Sequence, residues 1–179
     1  MNNNRVSSDR FDQLFSELKH ESDRGCILVG TSAVDDALKI ALKRRLSIDE
    51  HIKVKAVEPM FESMGPLSTF SARIKLAYAI GLIPRWIFED LEKIRKIRNR
   101  AAHQHIAHSF DTPYVASLSE DLQGAGYALA RLETLGERNQ ALPEKSSLEA
   151  IKTRVSEVPP FIRAVCYIAG YLDSLAERV

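Results

Sequence analysis

The sequence predicts an all-α protein, a single domain of six to eight helices built around one long central helix at 22–46. Three observations carry this. Apolar residues recur at three- and four-residue spacing along most of the chain, the period of a helix that buries one face. No stretch alternates apolar and polar residues as a half-buried strand does, since Val54 and Val57 stand isolated. Proline and glycine fall mostly between the periodic stretches, where they stop helices. At 179 residues the chain is long enough to bury a core without disulfides or metal.

The elements follow in order. Residues 1–8 are polar and are expected to form a disordered tail, with the domain at 9–179. Phe11, Leu14, Phe15 and Leu18 make one apolar stripe, with Asp9 as its cap. The 22–46 helix takes Ser22 as N-cap, with Asp23 near its positive end. Gly30, Ala33, Ala37 and Ala41 form a stripe of small residues beside the bulkier Ile27, Val34, Leu38 and Leu42. Two apolar faces predict a central helix, and the small stripe is expected to receive the helix bearing Phe70 and Ile74. Lys43, Arg44 and Arg45 suit its negative end.

Residues 47–58 read as a connector. Pro59 opens a short helix reaching Met64, and Gly65-Pro66 stops it. Ser68 or Ser71 is expected to cap a helix with Phe70, Ile74, Ala77 and Gly81 on one face. Pro84 suits the first turn of the next helix, which runs to about Ala102 with Leu91, Ile94, Ile97 and Ala101 inward. After a loop ending at Pro113, one helix brings Leu118, Leu122, Ala125 and Leu129 into register, weakened by Gly124 and Gly126. A polar linker at 136–147 and a short helix at 147–156 lead to Pro159-Pro160. In the last helix Phe161, Val165, Ile168, Leu172 and Leu175 make a seam resembling that of a coiled coil.

The net charge of +1 provides no global field toward nucleic acid, so any such surface must be local. Cys26 and Cys166 sit in apolar helical patterns and behave as small hydrophobes. Their spacing suggests neither zinc site nor disulfide, and a reducing cytoplasm is the expected compartment. The polar start lacks the apolar core of a signal peptide, and no apolar run approaches membrane-spanning length. There is no Gly-rich phosphate loop, no Ser/His/Asp arrangement and no helix-turn-helix signature, and no cofactor is expected.

Four constellations carry the functional question. Arg98, Asn99 and His103 place a phosphate-binding cation near a titratable base. As a catalytic set, Arg98 would hold a phosphate and His103 would move the proton of a ribose 2′-hydroxyl. As structure, Arg98 would pair with Asp23 or Asp35 inside the bundle and His103 would cap the helix end. On a regular helix Arg98 and His103 lie about 140° apart, so they converge only if the helix ends or kinks near Ala101. No catalytic role is favoured, and the structural expectation is adopted. Second, Lys93, Arg95, Lys96 and Arg100, with Lys43, Arg44 and Arg45, could follow phosphates or be a solvated face. Third, Asp23, Arg24, Asp35, Asp36, Arg73 and Arg98 are expected to form a polar network between helices, with a sugar-phosphate pocket as the sharper alternative. Fourth, His103, His105 and His108 lack the ligand set of a zinc site, and no metal is expected.

Two blocks resemble a known family. One is Glu21-Ser22-Asp23-Arg24-Gly25-Cys26-Ile27-Leu28-Val29-Gly30, followed by Asp35-Asp36. The other runs from Gly65-Pro66-Leu67-Ser68-Thr69-Phe70 to Tyr78. With Ile94-Arg95-Lys96-Ile97-Arg98-Asn99, Ala102-His103 and Ser109-Phe110-Asp111, they resemble the mannitol operon repressor family over roughly 9–135. The chain departs from that pattern at Ala101, where the family usually carries an aromatic residue, and in its longer polar insert at 136–147. The resemblance implies an all-helical transcriptional repressor of a sugar-alcohol operon that lacks a recognisable DNA-reading motif. It implies a protein partner, such as a phosphotransferase-system phosphocarrier or a DNA-binding regulator, with weak or indirect nucleic-acid contact. A homodimer is compatible with it.

The short Arg98-Asn99-x-x-x-His103 motif is also similar to that of HEPN domains, some of which are metal-independent ribonucleases. A ribonuclease or RNA-binding, toxin-like protein is therefore the alternative reading, and a non-catalytic structural adaptor is the third.

Overall fold

The computed structural model describes residues 8–47, 53–103, 109–138 and 156–177. Seven α-helices are bounded within them: α1 (Ser8–Leu18), α2 (Asp23–Leu46), α3 (Phe70–Ala79), α4 (Arg85–His103), α5 (Pro113–Glu120), α6 (Gln123–Arg138) and α7 (Pro160–Ala176). No strand occurs among the described residues. The expected disordered tail lies outside them, except that Ser8 already opens α1, so Asp9 stands in the first turn rather than at the cap.

Two helices share the centre, and α2 is only one of them. α7 is buried almost all round, and its most extensive contact is with α2; α1, α5 and α6 also pack on it. The coiled-coil-like seam expected there is therefore only part of its buried surface. Ala164, Cys166, Ala169 and Gly170 fill the faces between the large residues. A helix that is apolar on every side is a core helix, not a half-exposed one. Val29 and Ile40 of α2, by contrast, reach solvent.

The small stripe of α2 meets a different neighbour from the one expected. A Cβ added at Gly30 would lie 3.0 Å from Val165 Cγ2 and 3.5 Å from both Leu18 and Phe161. Gly30 thus receives α7 and the end of α1, not α3. Glycine is needed there for close helix approach rather than for an unusual backbone angle.

The helix ends follow local chemistry. Ser22 Oγ accepts the Gly25 amide at 3.1 Å, as a capping serine does. Thr69, rather than Ser68 or Ser71, caps α3 by accepting the Ala72 amide at 3.2 Å. Gly81, at φ 69°, makes the left-handed turn after α3. The short helix around Pro59 is a single 3-10 turn, Glu58–Phe61. Met64 lies beyond it, 96% exposed. At Gly65 the chain folds back so closely that a Cβ would strike the Met60 carbonyl oxygen at 2.3 Å.

The helix expected after Pro113 is two helices, broken near Asp121. The cause is Asp90 of α4, fully buried. It accepts the Gln123 amide at 3.1 Å and the Gly124 amide at 2.8 Å. A carboxylate from another helix therefore satisfies the start of α6, where amides lack intrahelical partners. Gly124 lets that backbone in, since a Cβ would meet Ala164 Cα at 3.4 Å. α6 continues to Arg138, into the stretch expected as linker. The rest of that stretch lies outside the described residues, as does nearly all of the expected helix at 147–156.

A candidate polar cleft between α2, α3 and α4

A cleft of about 470 Å³ opens where α2, the start of α3 and the middle of α4 meet. α2 contributes Leu28, Thr31, Ser32 and Asp35, at the i, i+3, i+4 and i+7 positions of one helical face. The turn before α3 and its first residues contribute Ser68, Thr69, Phe70 and Ser71. α4 contributes Arg95, Arg98 and Asn99, again on one face.

Arg73 is the keystone of this arrangement. Its Nε and Nη2 donate to the two carboxylate oxygens of Asp35 at 2.8 and 2.6 Å, and its Nη1 donates to the Leu67 carbonyl at 2.6 Å. The planar guanidinium matches the carboxylate fork, a geometry that lysine cannot reproduce. One buried side chain thus ties α2 to the turn that opens α3.

The expected polar network of six residues divides. Asp35 and Arg73 meet as described. Asp23 instead accepts Ser109 Oγ and the Phe110 amide, both at 2.9 Å, pinning the strand of chain that leads to α5. Arg24 and Asp36 are exposed. Arg98 is not buried and pairs with neither Asp23 nor Asp35; it donates to Asn99 Oδ1 at 3.3 Å. The reason is positional. Arg73 already occupies both carboxylate oxygens of Asp35, and Arg98 stays exposed on the cleft side of α4, bonded to its own neighbour.

α4 continues unbroken to His103, so Arg98 and His103 remain about 140° apart around its axis. Arg98 and Asn99 line the cleft, whereas His103 is exposed and does not. His105 and His108 lie outside the described residues. No group of three His, Cys, Asp or Glu among the described residues is placed to hold a metal ion.

The basic residues of α4 from Lys93 to Arg100 form two rows, one beside the cleft and one away from it. Arg95 and Arg98 form the row beside the cleft, and Arg95 Nη2 donates to Glu92 at 2.7 Å. Lys93, Lys96 and Arg100 form the other. Lys93 donates to the Asp121 carbonyl at 2.5 Å, and Arg100 lies over the Tyr114 ring, 4.4 Å from its centroid. At the end of α2, Lys43 pairs with Glu58 and Arg44 donates to the Ala176 carbonyl, while Arg45 is exposed. Most of the cations that could have followed a phosphate backbone are thus engaged within the fold.

Sequence reasoning sets Asp90 with Glu89 and Glu92 as the acidic complement of a solvated basic face, and the structure buries it instead. A signal was present: Asp90 falls in register with Ile87, Ile94, Ile97 and Ala101 on the apolar stripe. Burial pushes its carboxyl pKa up, opposed by the two α6 amides. The aromatic cluster also went unread. Trp86 packs against Tyr127, Tyr167 and Tyr171, joining the start of α4 to α6 and α7. Both cysteines are buried and free, and burial pushes the Cys166 thiol up to about 12. Such a thiol is inert as a nucleophile.

Fold and cleft together define an all-helical domain with a polar recess lined in part by an internal ion pair. A family model described as mannitol repressor matches residues 11–155, and the chain belongs to that family. Two curated relatives, the mannitol operon repressors of Escherichia coli K12 and of E. coli O6:H1, are each 28% identical over 87 residues, 49% of this chain and 45% of each relative. The chain thus spans about half the length of the curated relatives it matches. The fold is shared with the E. coli protein in the X-ray structure of the MtlR–HPr complex, at TM-score 0.66 and 19% identity, covering 94% of this chain and 99% of that one. A possible transcriptional regulator of Shigella flexneri shares it at TM-score 0.62 and 15% identity, covering 92% and 98%. No helix among the described residues is long and apolar enough to cross a membrane.

Proposed function

We propose that this protein represses transcription of a sugar-alcohol operon in the cytoplasm, acting chiefly through a protein partner of the phosphocarrier type and not as an enzyme. The observation that carries the reading is the family match over 11–155, on a fold shared with a protein solved in complex with HPr. Two features support an indirect route to DNA. The basic residues of α4 and the end of α2 are largely held by internal partners. The net charge of +1 gives no general attraction to a polyanion.

The test is calorimetric titration of the purified chain with a phosphocarrier protein from the same cell, unphosphorylated and phosphorylated. Saturable binding of one form over the other supports the proposal. Absence of binding to both, together with tight and selective binding of the chain to one operator, overturns it in favour of direct DNA recognition.

A further inference from the structure

We propose that the cleft between α2, α3 and α4 is a small-molecule site for the phosphomonoester of a polyol. Its polyol half rests on the regulatory reading above; its anion half rests on the cleft alone.

The recess has the parts of a phosphate site. Arg98 lines it, and its guanidinium has no carboxylate partner among the described residues. The other two arginines that line it are neutralised, Arg73 by Asp35 and Arg95 by Glu92. One uncompensated cation therefore remains, and a forked donor suits a phosphate's oxygens. Opposite it, α3 begins with Phe70 and Ser71, whose first-turn amides an α-helix leaves without intrahelical partners. The positive end of the helix dipole adds to them.

A second, independent observation points to a ligand. Thr31 lines the cleft, is only 3% exposed, and its Oγ1 has no hydrogen-bond partner. A buried hydroxyl left unsatisfied costs about 1–3 kcal/mol. Arg95 Nε, also on the cleft, is buried and unpartnered as well. Both atoms lie beneath the cleft surface, so a small shift of its floor around bound ligand hydroxyls would meet them. The remaining polar lining is Ser32, Ser68, Thr69, Ser71 and Asn99, which supply both donors and acceptors and suit hydroxyl groups rather than an apolar ring. The volume of about 470 Å³ lies within the range of sites for small ligands.

The experiment is calorimetric titration of the full chain with four probes: a hexitol 1-phosphate, the unphosphorylated hexitol, inorganic phosphate and a single-stranded oligoribonucleotide. The hexitol phosphate is expected to bind, with the free hexitol weaker by about tenfold or more for want of charge-assisted bonds, and inorganic phosphate weaker by about tenfold or more for want of the hydroxyl contacts. Arg98→Ala should weaken it by a similar factor, and Arg98→Lys should recover part. Arg98 is exposed, so these variants fold. As a second check, Thr31→Val should weaken the hexitol phosphate while retaining its shape.

Equal affinity for inorganic phosphate overturns the polyol assignment. Tighter, Arg98-dependent binding of the oligoribonucleotide overturns the small-molecule assignment, and silence with all four probes overturns the site. The phosphocarrier titration, run on the same preparation, separates the two readings. Partner binding without ligand binding removes the cleft proposal alone, and the reverse removes the partner.

Discussion

Asp35 and Arg73 face each other as two matched forks, carboxylate to guanidinium at 2.8 and 2.6 Å, across the contact between α2 and α3. The Arg73 side chain is only 8% exposed, so this partner offsets the cost of burying it. Asp35→Ala should lower stability by about 3 kcal/mol, because it strands a buried guanidinium. Arg73→Lys should cost less, keeping the charge but losing the fork and the bond to Leu67. Replacing both residues by apolar ones, Asp35→Leu with Arg73→Met, should recover part of the loss. Urea unfolding followed by the fluorescence of Trp86, the single tryptophan, measures all three.

A Cβ added at Gly30 would lie 3.0 Å from Val165 Cγ2, which predicts which helix resents a larger residue there. Gly30→Leu should destabilise by about 1–3 kcal/mol through overpacking. Val165→Ala in the same chain should relieve part of that, whereas Ile74→Ala on α3 should only add its own cost. Equal relief from the two second-site changes in thermal melts would place the neighbour wrongly.

Asp90 makes a pH prediction. Its folded pKa is raised by burial, so the folded state holds a proton that the unfolded chain has already released. The contribution is fully present below the ordinary aspartate value. It is lost as pH rises through the raised folded value. The stability of the natural protein relative to Asp90→Asn should therefore be greatest in acid and shrink as pH rises. A difference that grows toward neutral pH in paired urea titrations would mean that the two α6 amides outweigh desolvation.

How much of this was legible depended on whether local spacing decided the outcome. The α-helical class, the Ser22 cap and the inward face of α4 follow from local period and chemistry, and the structure has them. The identity of neighbours does not follow. The stripe at Gly30 announces close packing but not its partner, because α7 lies far along the chain. The break before α6 depends on Asp90, more than thirty residues upstream. For the cleft, the right residue types were visible in Asp35, Arg73, Arg98 and Asn99. Their grouping was not, since pairing Arg98 with Asp35 satisfies the same sequence equally well. Only the geometry shows that Arg73 has taken Asp35 and left Arg98 at the rim.

DNA affinity should reflect the rows on α4. Lys96, Arg98 and Arg45 remain exposed, while Lys93, Arg95, Arg100, Lys43 and Arg44 are engaged. The isolated chain is expected to bind DNA weakly, with little sequence preference and a shallow salt slope of about two to three phosphate contacts. Fluorescence anisotropy with operator and scrambled duplexes across a salt series measures this. A strong preference for the operator at physiological salt would show a reading surface elsewhere on the molecule.

Arg98 and His103 provide the last prediction. They share a helix that stays regular to its end, so one faces the cleft and the other faces solvent. A single chain therefore does not bring them to a common phosphate. Arg98→Ala should change stability by no more than about 0.5 kcal/mol, as an exposed side chain without an ion-pair partner does. His103→Ala, also exposed, should behave likewise. Pure protein incubated with single-stranded RNA in chelator should yield no products ending in a 2′,3′-cyclic phosphate, the species formed when the ribose hydroxyl itself attacks. Such products from the natural chain, abolished by each of the two substitutions, would install a ribonuclease. They would also require a second chain or an unwinding of the end of α4 to bring the base to the cation, and a dependence of the rate on protein concentration would tell these apart.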